Sequence, residues 1–539
     1  MRIGKMLCSK KELLWASLLS ILAAAGVLLF CTKSSPLYPT NDWFDTNCFF
    51  TVGKSMFEGR VPYLDIYEQK GPLLYFLYGL CYLVSPTSFF GGYLLETASA
   101  AATLFCFYLT IRLYTDKPAA ALICLPFLAL AIYSSASFAY GGSAEELCLP
   151  MTAYSVYALM KYLRYGKDSR PNGAMLVAVG LLAGAVLFIK FSMLGSYAAW
   201  IAYIAVVSLV RTKKFGELLR CCGLFLLGIA LSAVPWALYF GINNAVGDFL
   251  TAYFYNNIFL YTGKSFGIIA MPFIAAYRTV RGSIANFGYA LPILFGLIWF
   301  MFGMNRKLSR CERFAPAALF VFLMLGVFIG RGLPYYMLIS ASFAAIGAAA
   351  AISLSEPLIN KLRADKRVWA AAASVSVAVC IALSYLCTDN SYFMAYDRDD
   401  LPQNKFARII ASETDDADIL FYGALDSGFY MPLRTVPEYR YFCRLNINLP
   451  EMYEEQDRYV MEGLPDYVVA GKRTIPQDAP YEPVATADYS YRGYDNLDVT
   501  FTLYRRIGGG NGASASAHRN ALLLKAFAKR NKCLLFARG

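Results

Sequence analysis

Carboxylates and basic residues are concentrated in one polar stretch near the N terminus, residues 42–72. The chain has a single histidine, His518, which lies in its C-terminal tail. This excludes Ser/His/Asp triads, Cys/His pairs and His-ligated metals, so any catalysis must use carboxylates, Lys, Arg or Tyr. A carboxylate in this stretch could act as a general base on a hydroxyl group, although acids are also common in solvated loops. The charged residues of the stretch are Asp42, Asp45, Lys54, Glu58, Arg60, Asp65, Glu68 and Lys70.

The composition of the whole chain indicates a membrane protein. Of its 539 residues, 58% are hydrophobic and 16% are charged, and the mean hydropathy is +0.45. Long apolar runs of this kind need burial in a bilayer, where a crossing helix takes about 20 residues. We therefore predict an all-α polytopic membrane protein with about eleven transmembrane helices. They are expected near residues 13–31, 92–111, 118–135, 147–163, 175–190, 193–210, 221–240, 284–303, 315–330, 334–352 and 368–387.

The distribution of the basic residues predicts the orientation of the chain. The net charge is +12, but Lys and Arg recur in short connectors between apolar runs, which is typical of cytoplasmic loops and not of nucleic-acid binding. Alternate connectors follow the positive-inside rule. This places the N terminus in the cytoplasm and the segment after Cys387 outside, in a multi-pass protein of the plasma membrane. The polar stretch then lies in an outward loop, and the short apolar run that follows it, 71–84, is predicted as an interfacial helix.

A few cations lie on the outward side against this charge bias. Lys190 follows a long apolar run and Arg331 lies within GRGLPYY, so each needs an acid or a lipid phosphate as its partner. Lys70, just before the interfacial helix, could bind a lipid phosphate or simply extend towards the headgroups. Glu145 and Glu146 close the second outward loop, where they could complete a site or cap a helix. An anionic, lipid-linked substrate explains the outward acids and these cations together.

The composition becomes that of a soluble protein after the last apolar run. The runs DILFYGA, DYVVAG and VTFTLYRR are strand-like, and helical stretches fit between them. We therefore predict a small C-terminal extracytoplasmic α/β domain at 388–507, which follows a transmembrane domain at 1–387. Residues 508–539 are predicted to be a flexible linker and a basic tail.

Residues 45–75 resemble the first external loop of bacterial GT-C membrane glycosyltransferases, and more narrowly the protein mannosyltransferase-like, family 39-like group. The motifs that carry the resemblance are an aspartate followed by VGK, then EGxVPYxD and KGPLLY. The second outward loop, with GGSAEExxLP at 141–150, resembles the group's GGNxTEExxLP, and FIK at 188–190 resembles a turn that carries a lysine or an arginine. Tyr335 and Tyr336 stand where a His-Tyr pair is common, which leaves the sugar and the acceptor open.

The resemblance implies a GT-C-like transmembrane domain in which Asp45 is the catalytic base. It also implies that Lys70 lies near the donor phosphate and that Glu145 or Glu146 supplies a second acidic group. The implied reaction is one inverting displacement at the anomeric carbon of a polyprenyl-phosphate hexose or pentose, with an unidentified extracytoplasmic acceptor (a cell-envelope glycan, lipid or protein). No cofactor is expected, and whether a divalent cation is required is left open. The residues expected to bind the substrates are Asp42, Asp65, Glu68, Lys70, Lys190 and Arg331.

Two other functions compete with glycosyl transfer. A polytopic transporter, or a flippase for lipid-linked glycans, would need charged residues in the middle of several spans. Few interior positions are charged here; Glu96 is one exception, and it lies near the start of its span. A scaffold that only presents the outer domain would not need Lys190 and Arg331 on the outward side. The sequence therefore favours glycosyl transfer over transport, and transport over a scaffold.

Overall fold

The computed structural model describes most of the chain and shows it to be largely helical. The predicted linker and tail at 508–539 lie outside the described residues, apart from Gly508. The described residues are 8–166, 169–261, 267, 269–303, 308–361, 365–414, 417–492 and 496–508.

The helices and strands are numbered in chain order. The helices are α1 (Lys10–Cys31), α2 (Phe44–Phe57), α3 (Pro72–Val84), α4 (Phe90–Arg112), α5 (Pro118–Tyr133), α6 (Ala144–Lys161), α7 (Gly173–Lys190), α8 (Gly195–Thr212), α9 (Phe215–Ile242), α10 (Val246–Phe249), α11 (Asn256–Phe259), α12 (Met271–Ala285), α13 (Phe287–Ile298), α14 (Arg310–Phe328), α15 (Ala344–Lys361), α16 (Lys366–Cys387), α17 (Pro402–Glu413) and α18 (Pro450–Met461). The strands are β1 (Ile419–Tyr422), β2 (Tyr467–Ala470), β3 (Tyr481–Tyr491) and β4 (Leu497–Arg506).

The chain forms two compact units, and each is described by itself. The predicted domain limits at 387 and 507 stay a prediction. The first unit contains the described residues of Met1–Asn41, Phe89–Val234 and Gly263–Ala395. The second contains the described residues of Asp42–Ser88 and Pro235–Thr262 and those from Tyr396 onward.

The first unit is a bundle of apolar helices, and every predicted apolar run coincides with helix. Seven helices in the described part of the chain are long and apolar enough to cross a membrane, or up to eight if the bent pair Met271–Ala285 and Phe287–Gly303 is one span. This confirms the predicted all-α polytopic architecture. The number of crossings and their orientation stay predictions.

Glycines allow neighbouring helices of the first unit to approach closely. A Cβ on Gly347 of α15 would lie 2.1 Å from the Pro292 carbonyl oxygen of α13. A Cβ on Gly180 of α7 would lie 2.0 Å from the Phe225 carbonyl oxygen of α9. Helices in a bilayer associate through such close backbone packing because lipid offers no hydrophobic driving force between them.

The second unit is an α/β unit built on a mixed sheet in the order β1-β2-β4-β3. Strands β1 and β2 are parallel, and β4 pairs antiparallel with both β2 and β3. This confirms the small C-terminal α/β domain, including the three predicted strands. Strand β3 was not predicted because YEPVATADYSY contains a proline and few large apolar residues.

Helices α2 and α3 form a tightly packed pair within the second unit. A Cβ on Gly53 of α2 would lie 2.6 Å from both the Tyr75 carbonyl oxygen and the Gly79 nitrogen of α3. The predicted helix at 71–84 is therefore confirmed as α3, while its interfacial position stays a prediction. Gly53 belongs to the VGK motif, so one task of that motif is to let these two helices meet.

Candidate active site

The candidate base Asp45 lies in the first turn of α2, where a negative side chain is favoured by the helix dipole. Asp45 is half-buried. Its neighbour Asp42 is only 5% exposed and accepts a hydrogen bond of 2.9 Å from the Tyr489 hydroxyl of β3. Asp42 is thus placed to tie the start of α2 to the sheet, while the Asp45 side chain is the more exposed of the two. The catalytic role of Asp45 and the substrate contact of Asp42 stay predictions.

Asp65 closes the tight turn that follows α2. Its Oδ2 accepts a hydrogen bond of 2.8 Å from the Val61 N–H, and its own N–H donates to the Val61 carbonyl oxygen at 2.8 Å. Tyr63, between the two, has a φ of 71°, a left-handed conformation that a bulky residue adopts only when its surroundings enforce it. Asp65 therefore has a structural task, and its predicted contact with substrate stays a prediction.

Glu68 and Lys70 form one network before α3. Glu68 is 2% exposed and accepts hydrogen bonds from the Tyr75 hydroxyl and, at 2.7 Å, from the Lys70 N–H. The Lys70 Nζ lies 3.9 Å from the Glu68 Oε1 and 5.4 Å from the centre of the Phe49 ring. A carboxylate and a ring face thus orient this ammonium, which is a compact charge suited to a phosphate oxygen.

A buried carboxylate that sequence reasoning missed holds the middle of α2. Asp426 accepts hydrogen bonds from the Thr51 hydroxyl at 2.6 Å and from the Gly428 N–H at 2.8 Å. Burial raises the pKa of Asp426 to about 6, and these hydrogen bonds and Lys54 oppose the rise. Burial also lowers the pKa of Lys54 to about 8. The available signal was the position of Asp426 shortly after β1, because polar groups beyond the ends of strands are often functional or structural anchors.

Acidification is expected to stabilise the protein through Asp426. Its folded-state pKa of about 6 lies above the usual 3.8, so the folded state binds the proton more tightly and the unfolding free energy rises as the pH falls from 7 to 4. Between pH 7 and 4.5 the gain amounts to roughly 2 kcal/mol relative to an Asp426→Asn variant, which cannot titrate. Unfolding temperatures of both proteins at pH 7 and 4.5 measure it. If the unfolding temperatures of the two proteins differed by the same amount at both pH values, the prediction would be contradicted.

Within the first unit, the predicted residues Glu145 and Lys190 form a buried ion pair. Glu145 in the first turn of α6 is 1% exposed, and Lys190 at the end of α7 is 9% exposed. The Lys190 Nζ also lies 3.7 Å from the centre of the Tyr336 ring and 5.6 Å from that of Tyr335. The charge bias predicted that Lys190 needs a partner, and that partner is the Glu145 carboxylate together with the Tyr335 and Tyr336 ring faces. Its predicted contact with a lipid phosphate stays a prediction.

Glu146 organises the loop before α6. Its Oε2 accepts a hydrogen bond of 2.9 Å from the Gly142 N–H, and its own N–H donates to the Ser143 Oγ, the cap of α6, at 3.0 Å. Gly141 and Gly142 have φ values of 81° and 83°. A Cβ on Gly141 would lie 2.2 Å from the Thr32 Oγ1 and 2.5 Å from the Glu96 Oε2. The GG pair of the motif is thus needed for a left-handed backbone packed against Glu96.

Replacing Gly141 by alanine is expected to destabilise the protein by at least about 3 kcal/mol, because left-handed strain adds to a clash with Thr32 and Glu96. Gly59 is the matched control. It has a φ of 89° but no atom within 4 Å of a Cβ placed on it. Gly59→Ala should therefore cost only the backbone strain, about 1–2 kcal/mol. Thermal unfolding of the two detergent-purified variants checks that Gly141→Ala loses more stability than Gly59→Ala. Equal losses of stability would contradict the prediction.

Arg331, the last predicted residue, is half-buried in the segment between α14 and a 3-10 helix at Pro334–Phe343. Sequence reasoning missed Arg278 of α12, whose guanidinium donates to the carbonyl oxygens of Phe328 at 2.7 Å and Gly330 at 2.6 Å. Arg278 thereby supports the backbone that carries Arg331.

Across the part of the chain that the structure describes, no group of three or more His, Cys, Asp or Glu side chains is arranged to hold a metal ion.

The predicted site residues thus fall into two sets, one in each unit. The second unit brings together Glu68 and Lys70, and ties Asp42 to β3. The first unit brings together Glu145 and Lys190. In each set a carboxylate lies beside a lysine ammonium and limits its orientation.

Comparison with solved structures identifies the fold. No protein-family model matches the chain, and no curated protein matches it in sequence. The crystal structure of ArnT from Cupriavidus metallidurans bound to undecaprenyl phosphate is similar with a TM-score of 0.59 and 14% identity, covering 91% of this chain and 98% of that one. The apo structure of the same protein is similar with a TM-score of 0.56 and 15% identity, covering 90% and 97%. The chain therefore has the GT-C-like fold that its first loop predicts.

Proposed function

We propose that this protein is a membrane glycosyltransferase that moves a sugar from a polyprenyl-phosphate donor to an extracytoplasmic acceptor. The observation that carries the proposal is the GT-C-like fold, which matches 98% of an ArnT chain that was crystallised with undecaprenyl phosphate. The loop motifs and the positions of Asp45 and Lys70 support the same function. In this proposal the N terminus is cytoplasmic and the C-terminal domain lies outside.

Asp45 is the proposed general base. Its carboxylate would take the proton of the acceptor hydroxyl while that oxygen attacks the anomeric carbon of the donor. The bond from the anomeric carbon to the phosphate oxygen breaks in the same step, so the sugar inverts and polyprenyl phosphate leaves. The half-buried setting of Asp45 in the first turn of α2 supports this role, because the side chain is held on a rigid element and keeps access to a substrate.

Lys70 is the proposed partner of the leaving phosphate. Charge builds on that phosphate as the glycosidic bond breaks, and a nearby ammonium stabilises it. Glu68 and the Phe49 ring orient the Lys70 side chain, which supports a fixed position rather than a mobile surface charge. Lys190 is already neutralised by Glu145, so in this proposal the pair mainly holds the second loop to the end of α7.

The alternative is a transporter or a flippase for lipid-linked glycans. The observation in its favour is Glu96, a carboxylate within the apolar helix α4 that is 1% exposed. Buried acids of this kind often mark ion pathways in transporters. The two functions differ in their chemistry, because a flippase leaves the lipid-linked sugar intact.

The test is the protein-dependent release of free polyprenyl phosphate. Membranes from a deletion strain supply lipid-linked sugars and acceptors, and the purified protein is reconstituted into them. Mass spectrometry then follows polyprenyl phosphate and its sugar conjugates with time. We expect free polyprenyl phosphate to appear as the conjugate is consumed. Intact conjugate that only changes leaflet would favour the flippase and refute the transferase.

A further inference from the structure

A cavity of about 240 Å³ lies at the edge of the sheet in the second unit. It opens where the parallel strands β1 and β2 end, beside Gly423 after β1 and Lys472 after β2. Phe421 of β1 and Phe501 of β4 line its apolar part. Ligands of α/β sheets characteristically bind beyond the carboxyl ends of parallel strands, because the loops diverge there. The volume is sufficient for about one sugar ring and too small for a large ligand.

The cavity carries an excess of positive charge. Arg444 and Lys472 line it, and Arg473 follows directly. The carboxylate close to them is that of Asp457, 3.7 Å from the Arg444 Nη2. It already accepts hydrogen bonds from the Tyr422 hydroxyl at 2.5 Å and from the Arg473 Nη2 at 3.3 Å. Arg444 and Arg473 thus share the Asp457 carboxylate, and the excess of positive charge that results at this end of the sheet suits an anion.

Arg444 has donors that the described residues do not use. Its Nε and Nη2 atoms are buried and donate no hydrogen bond within the described part of the chain. Burial, followed by the charge of Arg473, lowers the pKa of Arg444. Buried N–H donors without a hydrogen-bond acceptor are costly, even with the Asp457 carboxylate 3.7 Å away, and a ligand that brings anionic oxygens would satisfy them.

Aromatic rings and small polar groups complete the lining. The Tyr453 ring centre lies 4.1 Å from the Arg444 guanidinium carbon, and the Phe44 and Tyr491 rings contact each other with centres 4.8 Å apart. Asn446 and Ser427 add hydrogen-bonding groups. Flat apolar faces with a few convergent polar groups suit a sugar ring, whose C–H face packs on aromatic carbons while its hydroxyls find partners.

The cavity is connected to the candidate base through two elements. Phe44, which lines it, directly precedes Asp45 in α2. Tyr491, which also lines it, lies two residues after Tyr489, the hydrogen-bond donor to Asp42. A ligand in the cavity would therefore lie beside the first turn of the helix that carries the proposed base.

We propose that this cavity binds an anionic sugar unit of the acceptor, a hexuronate or a sugar phosphate, and presents the acceptor to Asp45. The acceptor role rests on the proposed function, whereas the binding of an anionic sugar does not. Arg444 and Lys472 would contact the acidic group, and Phe44, Tyr453 and Tyr491 would contact the ring.

The test is calorimetric titration of the purified full-length protein in detergent with four ligands: glucuronate, glucose 6-phosphate, glucose and inorganic phosphate. At least one of the two anionic sugars should bind about ten-fold or more tightly than glucose and than inorganic phosphate. Whichever of glucuronate and glucose 6-phosphate binds more tightly identifies the acidic group as a carboxylate or a phosphate. Arg444→Gln should weaken that binding about ten-fold or more, and Lys472→Gln, which changes an exposed residue, serves if the first variant does not fold. Lys405→Gln, an exposed change that does not line the cavity, should leave binding unchanged.

Each contrary outcome would refute a different part of the proposal. Equal binding of glucose would refute the anionic sugar, equal binding of inorganic phosphate would refute the sugar ring, and no binding of any ligand would refute the site. Undecaprenyl phosphate should bind Arg444→Gln as well as it binds the unchanged protein, and weaker binding would assign the cavity to the donor. Release of polyprenyl phosphate without anionic-sugar binding would refute this inference alone. Binding without release would refute the proposed transferase alone.

Discussion

Asp45→Asn is expected to lower the release of polyprenyl phosphate by about 10²–10⁴-fold, because an amide cannot accept the proton of the acceptor hydroxyl. The change conserves size and leaves α2 intact, so folding and donor binding should persist. The rate is measured in the reconstituted membranes described above. The donor concentration for half-maximal rate should change much less than the maximal rate, as expected when a group acts only in the transition state.

Two other aspartates of the same unit provide the controls for Asp45. Asp400→Asn alters an exposed carboxylate, which pairs with Lys405 at 3.3 Å, and should leave the rate unchanged. Asp42→Asn weakens the hydrogen bond from Tyr489 at the start of α2 and should mainly lower the thermal stability. If Asp45→Asn kept full activity, Asp45 would not be the base. If Asp42→Asn alone abolished the rate in a folded protein, the base would be Asp42.

Lys190→Met is expected to destabilise the protein by about 3–5 kcal/mol, because it leaves the Glu145 carboxylate buried without its cation. It also removes the contact with the Tyr336 ring, whose centre lies 3.7 Å from the ammonium. Glu145 is 1% exposed, so water cannot replace the lost partner without a rearrangement of α6 and α7. Thermal unfolding in detergent, with the folded fraction measured by size exclusion, reports the loss.

The double variant Glu145→Gln/Lys190→Met tests whether the loss comes from the unpaired charge. Because both charges are removed together, we expect it to recover most of the stability lost in Lys190→Met. Lys405→Met breaks an ion pair whose side chains are 44% and 77% exposed, and it should cost no more than about 1 kcal/mol. A double variant as unstable as Lys190→Met would contradict the charge argument. A stable double variant without transferase activity would show that the pair also serves the reaction.

The hydrophobic pattern was enough to predict the class of fold. Runs such as 13–31 and 368–387 must be helical in a bilayer, because a helix satisfies its own backbone hydrogen bonds. The structure places α1 and α16 there. The strand-like runs before Gly423 and around Val468 likewise became β1 and β2. Strand β3 was missed because its apolar positions are spread over eleven residues and interrupted by Pro483.

The polar positions were found from the sequence, but most of their partners were not. Charge bias showed that Lys190 needs a partner, yet Glu145 lies 45 residues away along the chain and only helix packing brings the two together. The same holds for Asp42 and Tyr489, which are separated by 447 residues. Sequence spacing carries no information about such contacts unless they lie within one helix or one hairpin.

The sequence by itself determined that the chain is a polytopic membrane protein with a small α/β domain. It also determined that catalysis would have to use carboxylates, Lys, Arg or Tyr, and that the stretch 42–72 holds the principal candidates. Tertiary structure decided how those candidates differ: Asp42 is tied to β3, Asp65 closes a turn, Glu68 orients Lys70, and Asp45 remains half-buried at the start of α2. It also decided that Arg444 and Lys472 share a cavity with Phe44. The physical reason is that composition and periodicity report burial, whereas the environment of an ionisable group depends on contacts between residues that are distant along the chain.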